Sequence, residues 1–354
     1  MEKFEDILAI KRQKVWSVVE PYLNDPNYPS SFDIPDKYKT IQFKHWNIVR
    51  EYPERKGKYI RPTLLLLTAE GMGTKEEIAL QTAAAMQTSE DWLLIHDDLE
   101  DDSEFRRGKL TLHKMHGEKL AINAGDALHI IMWKILLDNR GILADKILWN
   151  VVNEFYTMLS RTVLGQGGEI MWSVNQKKTW NDEDWFFIAD GKTSYYTIAG
   201  PMRLGAIIAG ATQHQLNLLS KFGKLLGRCY QLVDDVLDLT GDFKGLKGKI
   251  QFNDIYESKR TLILSHLLRN LPKREVKRVR SFLSKSRNEK TKSEVLCIVD
   301  MMKEHGSIEY ARKISKKIMG EVMNMFNGEL KFISKQPARD HLEAGISFIL
   351  NREY

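Results

Sequence analysis

Two stretches far apart in the chain carry the same spacing of acids: His96-Asp97-Asp98-Leu99-Glu100-Asp101-Asp102 and Tyr230-Gln231-Leu232-Val233-Asp234-Asp235-Val236-Leu237-Asp238. In a helix, residues four apart share a face, so Asp97 lies one turn from Asp101 and Asp234 one turn from Asp238. Like charges placed this way repel even in water, and each ledge costs stability unless a cation lies over it. Oxygen donors on a rigid helix suit a hard divalent ion. Mg²⁺ takes one or two protein carboxylates and completes its octahedron with phosphate oxygens and water, so these are phosphate sites as well. A single acidic run is as often plain solvated surface. With average acid usage, however, one such run arises by chance about 0.07 times in this length, and a pair is far rarer. Apolar neighbours (Trp92-Leu93-Leu94-Ile95, Leu232-Val233, Val236-Leu237) suit helices half buried along a cavity.

Composition closes off several classes. With 354 residues and 43% hydrophobic content the chain can bury a substantial core. The net charge of +6 is modest, and the basic residues crowd into Pro272 to Lys292, a solvated loop and helix face without the interleaved aromatics of a nucleic-acid surface. Two cysteines, Cys229 and Cys297, form neither a disulfide framework nor a CxxC metal pair, as expected in a reducing interior. The charged start Met1-Glu2-Lys3-Phe4-Glu5-Asp6 lacks a signal core. No run reaches the ~18 to 20 apolar residues of a membrane span, so the expectation is a cytoplasmic protein.

Proline placement sets the organisation. Pro21, Pro26, Pro29, Pro35 and Pro53 fall early, Pro62 opens a helical run, and none follows until Pro201. Proline in a helix interior costs about 3 kcal/mol, so this long gap predicts consecutive helices and an all-α bundle. Residues 1–24 read as an amphipathic helix, 25–55 as an aromatic connector, and 56–354 as the catalytic bundle. Helices are expected over 74–102, 120–139, 141–172 and 295–352. The cluster Gly165-Gln166-Gly167-Gly168-Glu169 predicts a backbone break or a close approach, with Gln166 and Glu169 reaching the cavity. His113 and His116 read as structural.

Cations accompany the ledges. Lys58 and Arg61 stand before Pro62 at a helix start, where free N–H groups attract anions. Arg106 and Arg107 follow the first ledge, and guanidinium groups grip phosphate oxygens in pairs. Lys192, Thr193, Tyr195 and Tyr196 follow Gly191, while Lys249 and Lys259 come after the second ledge.

In order, these features over roughly residues 56 to 262 resemble the trans-isoprenyl diphosphate synthases, a family that includes farnesyl and geranylgeranyl diphosphate synthases. The resemblance implies the isoprenoid synthase type I fold, a single large helical bundle around a central cavity. It implies three Mg²⁺ ions held between the two ledges on an allylic diphosphate, with Asp97, Asp101 and Asp234 as direct ligands and Asp98, Asp235 and Asp238 supporting. Arg106, Lys192 and Lys249 match residues holding that diphosphate; Lys58, Arg61 and Arg107 match those holding isopentenyl diphosphate. Thr193, Gln231 and Tyr196 match positions near the reacting carbons, and Lys259 a loop lysine facing the allylic phosphate. The family usually has a histidine seven residues before the first aspartate, where this chain has Glu90; a carboxylate there is unfavourable unless Lys58, Arg61 or Arg107 neutralises it. Glu169 replaces the commoner aspartate. A homodimer is also implied.

The resemblance implies a reaction in which the allylic C–O bond ionises, isopentenyl diphosphate attacks the cation and a proton is lost, with water kept out by apolar walls. Chain length would be set down the helix from Asp97: Leu93 lies four residues away, Trp92 roughly 7.5 Å and Ser89 about 12 Å. In that family a bulky aromatic five before the motif, with small residues deeper and no insertion within it, usually goes with C20 products and aromatics at both four and five with C15, so the resemblance favours C20. Alternatives are a non-catalytic subunit of a heteromeric prenyl synthase, which commonly lacks one ledge, and a class I terpene synthase, whose second motif differs.

Overall fold

A computed structural model describes residues 3–24, 31–174, 180–241 and 251–350. These are helical nearly throughout, the exception being a two-stranded hairpin of Phe105–Arg106 with Lys109–Leu110. Helices form over the proline-free span because its Ala, Leu and Met content loses little side-chain freedom in a helix. The all-α expectation holds. Two compact units emerge, each discontinuous in sequence: Met1–Glu154 with Pro201–Thr212 and Ile333–Ala344, and Phe155–Gly200 with Gln213–Phe332 and Gly345–Tyr354. The expected boundary at residue 55 falls inside the first.

In the first unit the Glu76–Glu100 helix is central, packed by the Phe4–Val19, Ile60–Gly71 and Glu118–Leu137 helices. Every residue from Thr82 to Trp92 is buried, so the helix has no solvent face along that length. The described residues 31–55 are more than a connector. Lys39–Glu54 is a helix with Pro53 tolerated in its last turn, and buried Trp46, Val49 and Tyr52 follow one another at helical spacing on its inner face.

Glu118–Leu137 is long and apolar enough to cross a membrane by length and composition. The core helix of a soluble protein meets the same test, and this helix lies along Glu76–Glu100. In the second unit, Gln213–Thr240 carries the second acidic run and packs against Ser307–Gly328 and an 11-residue π-helix, Ala189–Ala199. π-Helical turns are rare and concentrate at functional sites. The expected 295–352 helix is broken into Lys292–Glu304, Ser307–Gly328 and Ala338–Leu350, the first break falling at Gly306 with φ +65°.

Candidate active site

The first acidic run sits on the last turn of Glu76–Glu100. Asp97 and Asp101 share its half-buried side, whereas Asp98, 100° further round, is fully buried. Asp98 accepts a hydrogen bond from the Tyr52 hydroxyl at 2.5 Å and from Arg106 Nε at 2.9 and 3.0 Å, with Arg106 Nη2 closer still. Arg106 Nη2 lies 3.7 Å from Asp97. Arg106 is therefore braced on Asp98 while 30% of its side chain stays exposed. Burial acts to lower its pKa, but Asp98 and then Asp97 outweigh this and raise it.

The hairpin explains how two adjacent arginines part company. Arg107 and Gly108 both take positive φ, 52° and 78°, as the two-residue turn between short antiparallel strands requires. Arg106 on the strand turns to Asp98. Arg107 on the turn donates to Tyr52 O at 3.1 Å and Asp91 Oδ1 at 3.0 Å, and lies 3.4 Å from Glu90 Oε1. Arg61 Nη1 lies 3.2 Å from Glu90 Oε2. Lys58 is exposed nearby in sequence, and the hydroxyl of buried Tyr59 makes no hydrogen bond among the described residues. Burial pushes the Asp91 carboxyl up to about 6 despite Arg107.

Further down the same helix, the Trp92 ring lies 4.6 Å from His129 and 5.7 Å from His96 between centroids, and Trp133 Nε1 donates to His129 Nε2 at 2.9 Å. Ser89 is fully buried and donates to Met86 O; Leu93 is half-buried.

In the second unit the pattern of the first run recurs. Asp234 is half-buried, whereas Asp235 is buried and accepts from Gln231 Nε2 at 2.7 Å and Trp185 Nε1 at 3.3 Å. Gln231 in turn accepts from Thr193 Oγ1 at 2.8 Å. Asp238 accepts from the backbone N–H groups of Asn253 and Asp254 at 3.0 and 3.2 Å. Lys259 lies 3.2 Å from Asp254. Lys192 lies 3.1 Å from Glu169, and Tyr196 is buried. A cavity behind Asp235 mixes Asp254 and Lys259 with Leu239, Leu264 and Met302. Lys249 lies outside the described residues.

The glycine cluster produces a close approach without a break. Asp145–Val174 is continuous, and a Cβ on Gly165 would stand 2.7 Å from the Lys192 backbone nitrogen. A side chain there would push the π-helix, and with it Lys192 and Thr193, off its seat.

Among the described residues, no three His, Cys, Asp or Glu side chains already converge as a metal cage. Mg²⁺ asks for fewer protein ligands than that. Asp97 and Asp101 in the first unit, and Asp234 in the second, are half-buried, so each run offers hard oxygen donors. Burial, then Asp254, pushes Asp235 well above the ordinary carboxylate range and Asp238 up to about 8. Taken run by run, half-buried carboxylates of this kind suit a divalent cation. Tyr52, Asp91, Trp185 and Asp254, which hold the site residues, were not singled out from sequence. Only Asp91, beside Glu90, carried any signal.

Comparison with known proteins places the chain in a family. The family model for polyprenyl synthetases matches residues 45–302. Geranylgeranyl diphosphate synthase of Sulfolobus acidocaldarius is 30% identical over 77% of this chain and 80% of its own. A short chain isoprenyl diphosphate synthase of Methanothermobacter thermautotrophicus is 30% identical over 84% of this chain and 87% of its own. Among solved structures, geranylgeranyl pyrophosphate synthetase from Pyrococcus horikoshii superposes with a TM-score of 0.82 at 28% identity, covering 99% and 100% of the two chains. The geranylgeranyl pyrophosphate synthase of Corynebacterium glutamicum, complexed with isoprenyl diphosphate and magnesium, has the same fold with a TM-score of 0.82 at 22% identity over 99% and 100%.

Proposed function

This chain belongs to the polyprenyl synthetase family, and from that premise we propose that it is a short-chain trans-prenyltransferase joining isopentenyl diphosphate to an allylic prenyl diphosphate. Geranylgeranyl diphosphate is the product we favour, with farnesyl diphosphate next. The observation that carries this reading is the shared division of labour in the two acidic runs: Asp97, Asp101 and Asp234 are half-exposed, while Asp98 and Asp235 are buried and hydrogen-bonded.

On this reading Asp97, Asp101 and Asp234 hold Mg²⁺, three ions in all. Bound Mg²⁺ supplies charge neutralisation of the departing diphosphate. Arg106, fixed by Asp98, and Lys192, fixed by Glu169, add positive charge to the same leaving group. Lys249 and Lys259 join them in binding the allylic diphosphate. Lys58, Arg61 and Arg107 bind isopentenyl diphosphate. Thr193, Gln231 and Tyr196 lie near the reacting carbons, the first two oriented by the hydrogen-bond relay that ends on Asp235 and Trp185. Trp92, with Leu93 and Ser89, limits product length. We also propose a cytoplasmic homodimer: the Glu118–Leu137 helix leaves Leu120, Ile122, Ile130 and Leu137 exposed, apolar surface suited to a second copy.

The deciding experiment gives purified protein Mg²⁺, isopentenyl diphosphate and labelled C5, C10 or C15 allylic diphosphates, with products separated by chromatography. Release of diphosphate with a longer prenyl diphosphate is expected. No elongation from any primer would reject the reading.

A further inference from the structure

In the first unit, the arginines proposed to bind isopentenyl diphosphate already hold an anion. Glu90 places one oxygen 3.2 Å from Arg61 Nη1 and the other 3.4 Å from Arg107 Nη2. Its side chain is 11% exposed, and those of Arg61 and Arg107 are 22% and 15%, so solvent screens this arrangement weakly. Arg107 needs no second partner for neutrality, because Asp91 lies 3.0 Å from its Nη1 and Tyr52 O accepts from the same nitrogen. Two guanidinium groups thus face two carboxylates. Gly57 reinforces the fit, since a Cβ there would stand 2.6 Å from Arg107 Nη2.

We propose that Glu90 is a specificity-determining residue whose carboxylate occupies Arg61 and Arg107 in place of a diphosphate, so that the second substrate binds only by displacing it. This rests on the prenyltransferase reading above. A carboxylate carries one negative charge and a diphosphate at least two, so a diphosphate can win the exchange while a singly charged ligand gains little. The incoming diphosphate must separate Glu90 from both arginines, and that cost appears as weak affinity for the homoallylic substrate alone. Glu90 lies seven residues, about 10 Å along the helix, before Asp97, so the expected effect is on the homoallylic substrate and not on the allylic one.

The test compares the full chain with Glu90→Gln, which keeps shape and removes charge. KM for isopentenyl diphosphate should fall at least about tenfold in the variant, the lower range for close buried charge pairs, while KM for the allylic diphosphate stays within about twofold. Calorimetric titration with inorganic pyrophosphate in EDTA, where no Mg²⁺ loads the aspartates, should show a matching gain, lost again when Arg61→Gln is added. Equal pyrophosphate affinity in wild type and variant overturns the proposal. Elongation by both proteins with an unchanged KM for isopentenyl diphosphate overturns it too, leaving the enzyme reading intact. Tighter pyrophosphate binding without elongation by either protein sinks the enzyme reading and upholds the displacement. Should Glu90→Gln fold poorly, Glu90→Ala removes the same charge without adding a new cation and is read in the same way.

Discussion

Arg106 grips the buried carboxylate of Asp98 with two nitrogens, and so the second aspartate of the first acidic run anchors a cation inside the protein instead of facing solvent. Its neighbour Asp97 stands 3.7 Å from that guanidinium and stays half-exposed. Adjacent aspartates thus have separable duties. Asp98→Ala leaves Arg106 and the Tyr52 hydroxyl without their partner and should cost about 3 to 5 kcal/mol of stability, read from denaturant unfolding. Asp97→Asn should unfold like wild type, yet lose at least about a hundredfold in kcat and require more Mg²⁺. Equal stability loss in the two variants would contradict this division.

The Trp92 ring lies 4.6 Å from that of His129 at a 34° tilt, at the end of the stretch of its helix that is buried all round. Trp92→Ala opens space about one and a half turns below Asp97. Chromatography should show products longer than those of the wild type. An unchanged profile would mean the ring serves packing only, and the variant's loss of about 3 to 5 kcal/mol would then be its whole effect.

Gly165 and Gly167 lie two residues apart on one helix but face different surroundings. A Cβ at 165 would stand 2.7 Å from the Lys192 nitrogen, while one at 167 meets nothing within 4 Å. Gly165→Ala should lower stability by about 1 to 3 kcal/mol and raise KM for the allylic diphosphate by shifting Lys192. Gly167→Ala should be neutral or stabilise by up to about 1 kcal/mol through helix propensity. Parallel melting curves and kinetics of both variants decide it.

Asp91 is pushed up to about 6, chiefly by burial. The folded state therefore keeps a proton that the unfolded chain releases near the ordinary value of about 3.9, and the stability this group contributes, fully present at low pH, is lost as pH rises through about 6. Asp91→Asn should remove that slope between pH 4 and 6.5 in unfolding experiments, whatever it costs by weakening Arg107. A slope identical to wild type would assign the pH dependence elsewhere.

Helical periodicity was legible from residue spacing because it depends on neighbours within one turn, so the helix expected over 74–102, found over 76–100, and the acidic faces of both runs could be read directly. The Lys39–Glu54 helix was missed because Pro53 and the prolines before it obscured a good inner stripe of Trp46, Val49 and Tyr52. The hairpin at Arg107-Gly108 carries no Asn-Gly or Asp-Gly signal, and an arginine at positive φ is not what local propensity selects.

What the amino-acid order determined alone is which carboxylates share a helix face and which cations follow them, since a 3.6-residue repeat is a local property of the chain. Which acids turn inward, and what they hold, only the tertiary structure decided. Asp98 is claimed by Tyr52 and Arg106, Asp235 by Gln231 and Trp185, and Glu90 by Arg61 and Arg107. Many of these partners arrive from distant segments. The energy of burying a charge depends on the partner that meets it, which no single stretch of sequence specifies.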